Sequence, residues 1–255
     1  MTFEEYSGIF NQIEKYAKII YLHMWGEPTL HDRLLDIINY SMKINSSIIY
    51  NVSTHGNNLS QQYAESLVAT GIQQIIISMD GIDQPSYEKY RRGGSFEAVM
   101  NFITWCVNAR EKHGTNTQLI AQCLQLKHTL PIIDQFTEKM NSLGVTPSFK
   151  PVFIGDYTKA NDLLSEGVSF QRFRLEECTS LDDALAVQAD GIVIPCCHHP
   201  EPAAGYHLGN MFEMSLEQVL LLPDRQRFKA DLRKGVPPTR YCLACISTKP
   251  RTNES

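Results

Sequence analysis

Apolar residues recur at helical spacing from the first turn of the chain. Phe3, Tyr6, Ile9, Phe10, Ile13 and Tyr16 fall on one face of a helix, and Thr2-Phe-Glu-Glu5 supplies a capping box to start it. Lys18-Ile-Ile-Tyr-Leu22 then reads as a short strand, and Pro28 with Leu30-His31-Asp32 leads into a helix that runs to about residue 45. Beyond it the pattern alternates: strands over 48–52, 75–78, 119–124 and 148–153, helices over 59–69, 95–112 and 130–143. Continuously apolar strands alternating with helices predict a parallel sheet covered by helices.

Within 155–167 this periodicity stops and Asp, Asn, Ser and Gly accumulate, which places a boundary there. The expected division is an α/β core over 1–155, a bridging linker over 156–172 and a small unit over 173–255. In that last unit, apolar runs at 185–189 and 192–194 flank Asp190-Gly191, which predicts a tight hairpin. Ser215-Leu-Glu-Gln218 predicts a capped short helix, Asp224 the cap of another, and Gly235 with Pro237-Pro238 its stop.

Polar residues and glycines gather just after the strands: His23-Met-Trp-Gly-Glu-Pro28, Ser53-Thr-His-Gly56, Met79-Asp-Gly81 and Gln125-Leu-Lys-His128. Any one of these is explained by turns and caps. Their recurrence at four successive strand ends marks a small-molecule site, because βα sheets bind ligands where the strands finish. Gly93-Gly94 beside Arg91 and Arg92 reads as a plain loop.

Four cysteines carry the candidate metal chemistry. Twelve residues separate Cys178 from Gly191, four separate Gly191 from Cys196, and Cys242-Leu-Ala-Cys245 closes the pattern. The hairpin returns Cys196 towards Cys178, and a C-x-x-C pair lets two thiolates share one metal or cluster. Spacing alone admits zinc as well as iron–sulfur. The unit has little core of its own, so bound metal is expected to supply much of its folding free energy. Cys106 lies in an apolar helical pattern and Cys123 in a strand, so both are expected in the core. Cys197 is expected on the opposite face from Cys196, and His198 and His199 in a loop.

Composition narrows the class. With 43% apolar and 20% charged residues the 255-residue chain is globular, and a net charge of −5 gives no nucleic-acid footprint. No run of eighteen apolar residues and no signal peptide are found, which predicts a cytoplasmic protein with no membrane partner. In that compartment seven cysteines argue for thiolate ligands rather than disulfides.

Trp25-Gly-Glu-Pro28, Ser53-Thr-His-Gly56, Ile77-Ser-Met-Asp-Gly81 and Tyr90-Arg-Arg-Gly-Gly-Ser-Phe96 together resemble a radical S-adenosylmethionine enzyme core, and the C-terminal cysteines resemble its SPASM/twitch extension. The resemblance implies an α/β fold, a partial (β/α)6 TIM-like barrel with its first strand missing, followed by a small iron–sulfur domain. It implies that Gly26, Glu27 and Pro28 meet the amino group of S-adenosylmethionine. It places Ser53, Ser78 and Asp80 against the cofactor's sugar, its carboxylate or the substrate. It also implies that Cys178, Cys196, Cys242 and Cys245 hold one auxiliary [4Fe-4S] cluster. The family's C-x-x-x-C-x-x-C motif is not present, since no cysteine precedes Cys106. This leads to the expectation of a truncated chain, a chain read from an internal start, or a family member that has lost catalysis, unable by itself to generate the 5′-deoxyadenosyl radical and with an unpaired strand edge near Ile20.

Two other readings accompany it: a non-catalytic electron-relay module working with a protein partner or reductant, and a zinc-stabilised α/β protein. The substrate is unread from the sequence, its pocket being expected at the strand ends and around 155–173.

Overall fold

The structure, a computed structural model, describes residues 1–152 and 174–246. The expected boundary at 155–167, the linker at 156–172, the substrate loops at 155–173 and the last residue of the strand expected at 148–153 lie outside these residues. The chain divides into two compact units, Glu14–Val152 and a second made of Met1–Ile13 with Phe153–Ser255. The first helix, α1 (Phe3–Ile13), thus belongs with the tail. Its capping box forms as the sequence predicts, with Glu5 N donating to Thr2 Oγ1 at 3.1 Å and Thr2 N to Glu5 Oε2 at 2.6 Å.

The unit over Glu14–Val152 is built on a sheet of five strands: β1 (Ile19–Tyr21), β2 (Ile49–Thr54), β3 (Gln74–Ser78), β4 (Gln118–Leu124) and β5 (Thr146–Lys150). All neighbours are parallel and the order follows the chain, β1 to β5. Sequential order is what a barrel-type winding requires, and five is the count expected of the six-stranded form without its first strand. β1 is one edge of the sheet, and its Ile19 and Tyr21 are 46% and 60% exposed.

Alternation along the strands corrects the expectation of continuously apolar strands. Ile75 and Ile77, and Leu119, Ala121 and Cys123, are buried, whereas Gln74, Ile76, Ser78, Ile120 and Gln122 between them are half-buried. Register explains the polar positions: Asn51, Gln74 and Gln118 stand side by side on β2, β3 and β4. Their amides are chained, Asn51 Nδ2 to Gln74 Oε1 at 2.7 Å and Gln74 Nε2 to Gln118 Oε1 at 2.9 Å.

The helices of this unit pack on the apolar side. A 3₁₀ turn at Pro28–Leu30 takes the place of the predicted helix start, and α2 (Leu34–Ile44) begins after it. It is followed by α3 (Gln61–Ala69), capped by Ser60. A further helix, α4 (Gln84–Glu88), is not visible in the hydrophobic pattern because it is only five residues long; Asp83 and Ser86 close a capping box at its start. Then α5 (Phe96–His113), capped by Ser95, buries Val99, Phe102, Ile103, Cys106 and Ala109, and ends where Gly114 turns left-handed with φ 60°. Each such large side chain contributes about 1.5–3 kcal/mol on burial. The last helix here, α6 (Ile133–Ser142), packs on β5.

The tail unit gathers short elements: a 3₁₀ turn at Leu175–Glu177, α7 (Ser180–Asp183), β6 (Ala186–Val187), β7 (Val193–Ile194), α8 (Leu216–Leu221), α9 (Pro223–Arg233) and α10 (Arg240–Ile246). Leu175, Leu181, Val193, Met211, Val219 and Phe228 form its core, and Ile9 of α1 is buried in the same cluster. Gln12 Oε1 fixes α1 there by accepting from Leu216 N at 2.8 Å.

Two local expectations are corrected. The hairpin is wider than a two-residue turn: Val187 pairs with Val193 and Gln188 N donates to Ile192 O. A two-residue type I′ turn needs positive φ at both positions. Here Gly191 has φ 82°, and Asn58 is the sole non-glycine with positive φ among the described residues, so Asp190 does not provide it. Asp224 is not a cap either. Pro223, which lacks an N–H, takes the first turn of α9, and Asp224 Oδ2 instead accepts from His207 N at 2.7 Å. Among the described residues no helix is long and apolar enough to cross a membrane.

Candidate functional site

In the sheet unit, the loops after β1 and β2 are held together by Glu27. Its Oε1 accepts from Thr29 N at 3.2 Å and Thr29 Oγ1 at 2.7 Å, and its Oε2 accepts from His55 N at 2.9 Å. Burial by itself pushes the carboxyl pKa up. The donors His55 N–H, Thr29 and Thr54 outweigh that and hold it below its ordinary value. Alongside, His23 Nδ1 accepts from Ser53 N at 3.0 Å, and burial lowers the imidazole pKa.

The carboxylate of Glu27 is therefore committed to shaping the loop. The backbone beside it is open: Gly26 is exposed, and no heavy atom beyond its chain neighbours lies within 4 Å of where its Cβ would sit. Such space beside a pinned loop fits a ligand contacting main chain at the strand ends. Ser53, one residue before the end of β2, and Ser78, the last residue of β3, are half-buried.

Asp80 is fully buried and already spent. Its Oδ1 accepts from Leu124 N at 2.6 Å and its Oδ2 from Arg91 Nε at 2.6 Å, tying the end of β3 to β4 and to the loop before α5. Its neighbour Gly81 lies so close to α4 that a Cβ would stand 2.3 Å from Tyr87 N. Pro28 opens the 3₁₀ turn that Glu27 caps.

The thiol site lies wholly in the tail unit. Cys178 follows the 3₁₀ turn at Leu175–Glu177, Cys196 follows β7, and Cys242 and Cys245 lie one turn apart on α10. Cys242 feels Cys178, Cys196 feels Cys197, Cys245 and Cys242, and Cys245 feels Cys242, Cys178 and Cys197. The four predicted ligands thus share one electrostatic neighbourhood, which also takes in Cys197. Burial first, then these neighbours, pushes the Cys196 thiol up to about 12 and Cys245 to about 11.

Among the described residues no group of three or more His, Cys, Asp or Glu closes to the spacing of a single metal ion.

Cys106 and Cys123 are fully buried in α5 and β4, whereas Cys197 is exposed. The histidines lie in a loop, as expected. A turn closed by His199 N to Cys196 O folds both back, His198 Nδ1 to 3.5 Å from Cys245 Sγ and His199 Nε2 to 3.8 Å from Cys242 Sγ. His199 is 1% exposed. Thr239, 3.0 Å from His199, is a further site residue that sequence reasoning missed; its place just before α10, after Pro237-Pro238, is the signal that marks it as a cap.

Comparison with known proteins agrees with both halves. Residues 178–246 match the SPASM family, described as an iron–sulfur cluster-binding domain, and the match begins at Cys178. A GTP 3′,8-cyclase from Alkaliphilus oremlandii is 27% identical over 124 residues, 45% of this chain and 38% of the relative. The matched stretch therefore spans well under half of that protein. The native anSMEcpe structure with bound AdoMet superposes with a TM-score of 0.62 at 14% identity, covering 91% of this chain and 74% of that one. SuiB of Streptococcus suis superposes with a TM-score of 0.61 at 12% identity, covering 90% and 62%. At these identities the two structures show a shared fold.

Proposed function

We propose that this chain is a radical S-adenosylmethionine protein with a SPASM domain and that Cys178, Cys196, Cys242 and Cys245 ligate one auxiliary [4Fe-4S] cluster. The observation that supports the reading is the iron–sulfur family match over 178–246, which begins at the first of these cysteines and contains all four. Buried thiols with raised pKa values are protonated in the metal-free protein, so cluster binding releases their protons.

At the strand ends, S-adenosylmethionine is received by the loop that Glu27 shapes. The open backbone beside Gly26 meets its amino group, Pro28 sets the turn that follows, and Ser53 and Ser78 face its sugar, its carboxylate or the substrate. Asp80, buried and bonded to Arg91 and to Leu124 N, positions these strand ends. When bound, S-adenosylmethionine supplies an organic radical that removes hydrogen from a substrate, and we place the whole protein's reaction in that class. The ligands of a cluster that chelates S-adenosylmethionine are not among residues 1–255, whose first cysteine is the buried Cys106, so no electron-transfer step is assigned to these residues.

Anaerobic reconstitution followed by iron, sulfide and zinc analysis tests the reading. About four irons and four sulfides per chain are expected for one such cluster. A colourless zinc-loaded protein, or two clusters per chain, overturns it. Calorimetric titration with S-adenosylmethionine separates the remaining alternative: a loaded cluster with no heat of binding favours an electron-relay module.

A further inference from the structure

The sulfur of Cys242 stands at the end of a hydrogen-bond chain that runs through Thr239 to His199. Thr239 stands just before α10, and its Oγ1 accepts from Cys242 N at 3.3 Å while its hydroxyl donates to Cys242 Sγ at 3.4 Å. The same oxygen lies 3.0 Å from His199 Nε2. A hydroxyl has one proton and two lone pairs. All three are used if Nε2 carries its hydrogen: the His199 and Cys242 N–H groups fill the lone pairs, and the proton goes to sulfur. The tautomer is assigned from this network.

His199 is buried between Tyr241 and Phe228, with ring centroids 4.9 and 6.4 Å away. Its Nδ1 has no hydrogen-bond partner among the described residues. An orphaned buried nitrogen is unfavourable, so packing alone is a poor account of this histidine. What a phenylalanine in its place lacks is the Nε2 hydrogen.

We propose that His199, acting through Thr239, is a positioning residue that holds a hydrogen bond on the Cys242 sulfur and thereby sets the potential of the auxiliary cluster. A donor on a cluster sulfur stabilises the extra negative charge of the reduced form and raises the potential, and a buried setting strengthens the effect. The inference rests on the cluster reading above, in which Cys242 is a ligand.

The test compares anaerobically reconstituted wild type with Thr239→Val, Thr239→Ser, His199→Phe and His199→Gln in the full chain. Thr239→Val is expected to retain iron and sulfide while its midpoint potential falls. The expected size is on the order of tenfold in the reduced-to-oxidised ratio at fixed potential, about 59 mV for one electron. Thr239→Ser, which keeps the hydroxyl, restores the wild-type value. His199→Phe lowers the potential in the same direction, and His199→Gln, whose amide N–H replaces Nε2–H, recovers most of the loss.

Should Thr239→Val fail to load, His199→Phe carries the test, together with a rise in its Fe–S(Cys) stretching frequencies by resonance Raman. A loaded Thr239→Val at unchanged potential overturns the inference alone, and so does loss of iron in His199→Phe, which makes that residue a ligand. A wild-type chain that takes up no iron and sulfide removes the cluster reading and this inference together.

Discussion

Arg91 Nε donates at 2.6 Å to the carboxylate of Asp80, a residue with no solvent exposure, while the Arg91 side chain keeps 28% of its own. The pair is therefore asymmetric: the acid depends on the base more than the reverse. Arg91→Ala is expected to destabilise the sheet unit by ~3 kcal/mol, because it strands a buried charge. Asp80→Asn, which keeps an acceptor for Leu124 N, costs ~1 kcal/mol. Urea midpoints of the two variants check the order, and a larger loss in Asp80→Asn contradicts it.

Glu27 makes stability depend on pH in a definite direction. Its folded pKa lies below the ordinary 4.5, so its contribution is fully present above that value and is lost as pH falls through the lower, folded value. In Glu27→Gln the acid-side dependence attributable to this group disappears. Denaturation of both proteins on either side of about pH 4.5 reads the difference, and parallel stability curves refute it.

The ligand assignment separates the seven cysteines into classes. Serine at Cys178, Cys196, Cys242 or Cys245 is expected to abolish or sharply reduce iron and sulfide content and to lower the thermal resistance of the tail unit. Cys197→Ser is expected to leave both near wild type, since its side chain is exposed. Metal analysis of the five variants decides; full iron retention in any of the first four removes that residue from the ligand set.

Gly191 is needed at the hairpin for two reasons. Its φ is 82°, and a Cβ there would stand 2.3 Å from Asn210 Oδ1 and 2.6 Å from the Phe212 ring. Gly191→Ala is expected to cost at least ~2 kcal/mol from backbone strain and crowding together. It also displaces Cys196, lowering cluster content on reconstitution. A variant that loads and melts like wild type shows that the hairpin tolerates a different turn.

The docking of α1 gives a test confined to the tail. Ile9→Ala is expected to cost ~2–4 kcal/mol in the unit that contains α9 and α10, since Ile9 belongs to that core. Hydrogen exchange should quicken in the tail helices and leave β3 and β4 unchanged; acceleration confined to the sheet contradicts this placement.

Much of this was legible because it is local. The boxes at Thr2/Glu5 and Ser215/Gln218 each involve a few neighbouring residues. The parallel order of five strands follows from strand–helix alternation, and the C-x12-G-x4-C with C-x-x-C pattern pointed to metal before any geometry. α4 and α7 escaped notice because helices of five and four residues leave almost no periodic trace.

By itself, the sequence determined where the longer helices and the parallel strands form, which cysteines are spaced as ligands, and that glycines and polar residues crowd the strand ends. Tertiary structure decided that α1 joins the tail, that Asp80 is consumed by Arg91 and Leu124, and that His199 is buried against a hydroxyl forty residues further on. The physical reason is range. Propensity, capping and spacing act over a few residues, whereas burial and the choice of a hydrogen-bond partner depend on which distant segments close on each other, and a side chain's chemistry follows that closure.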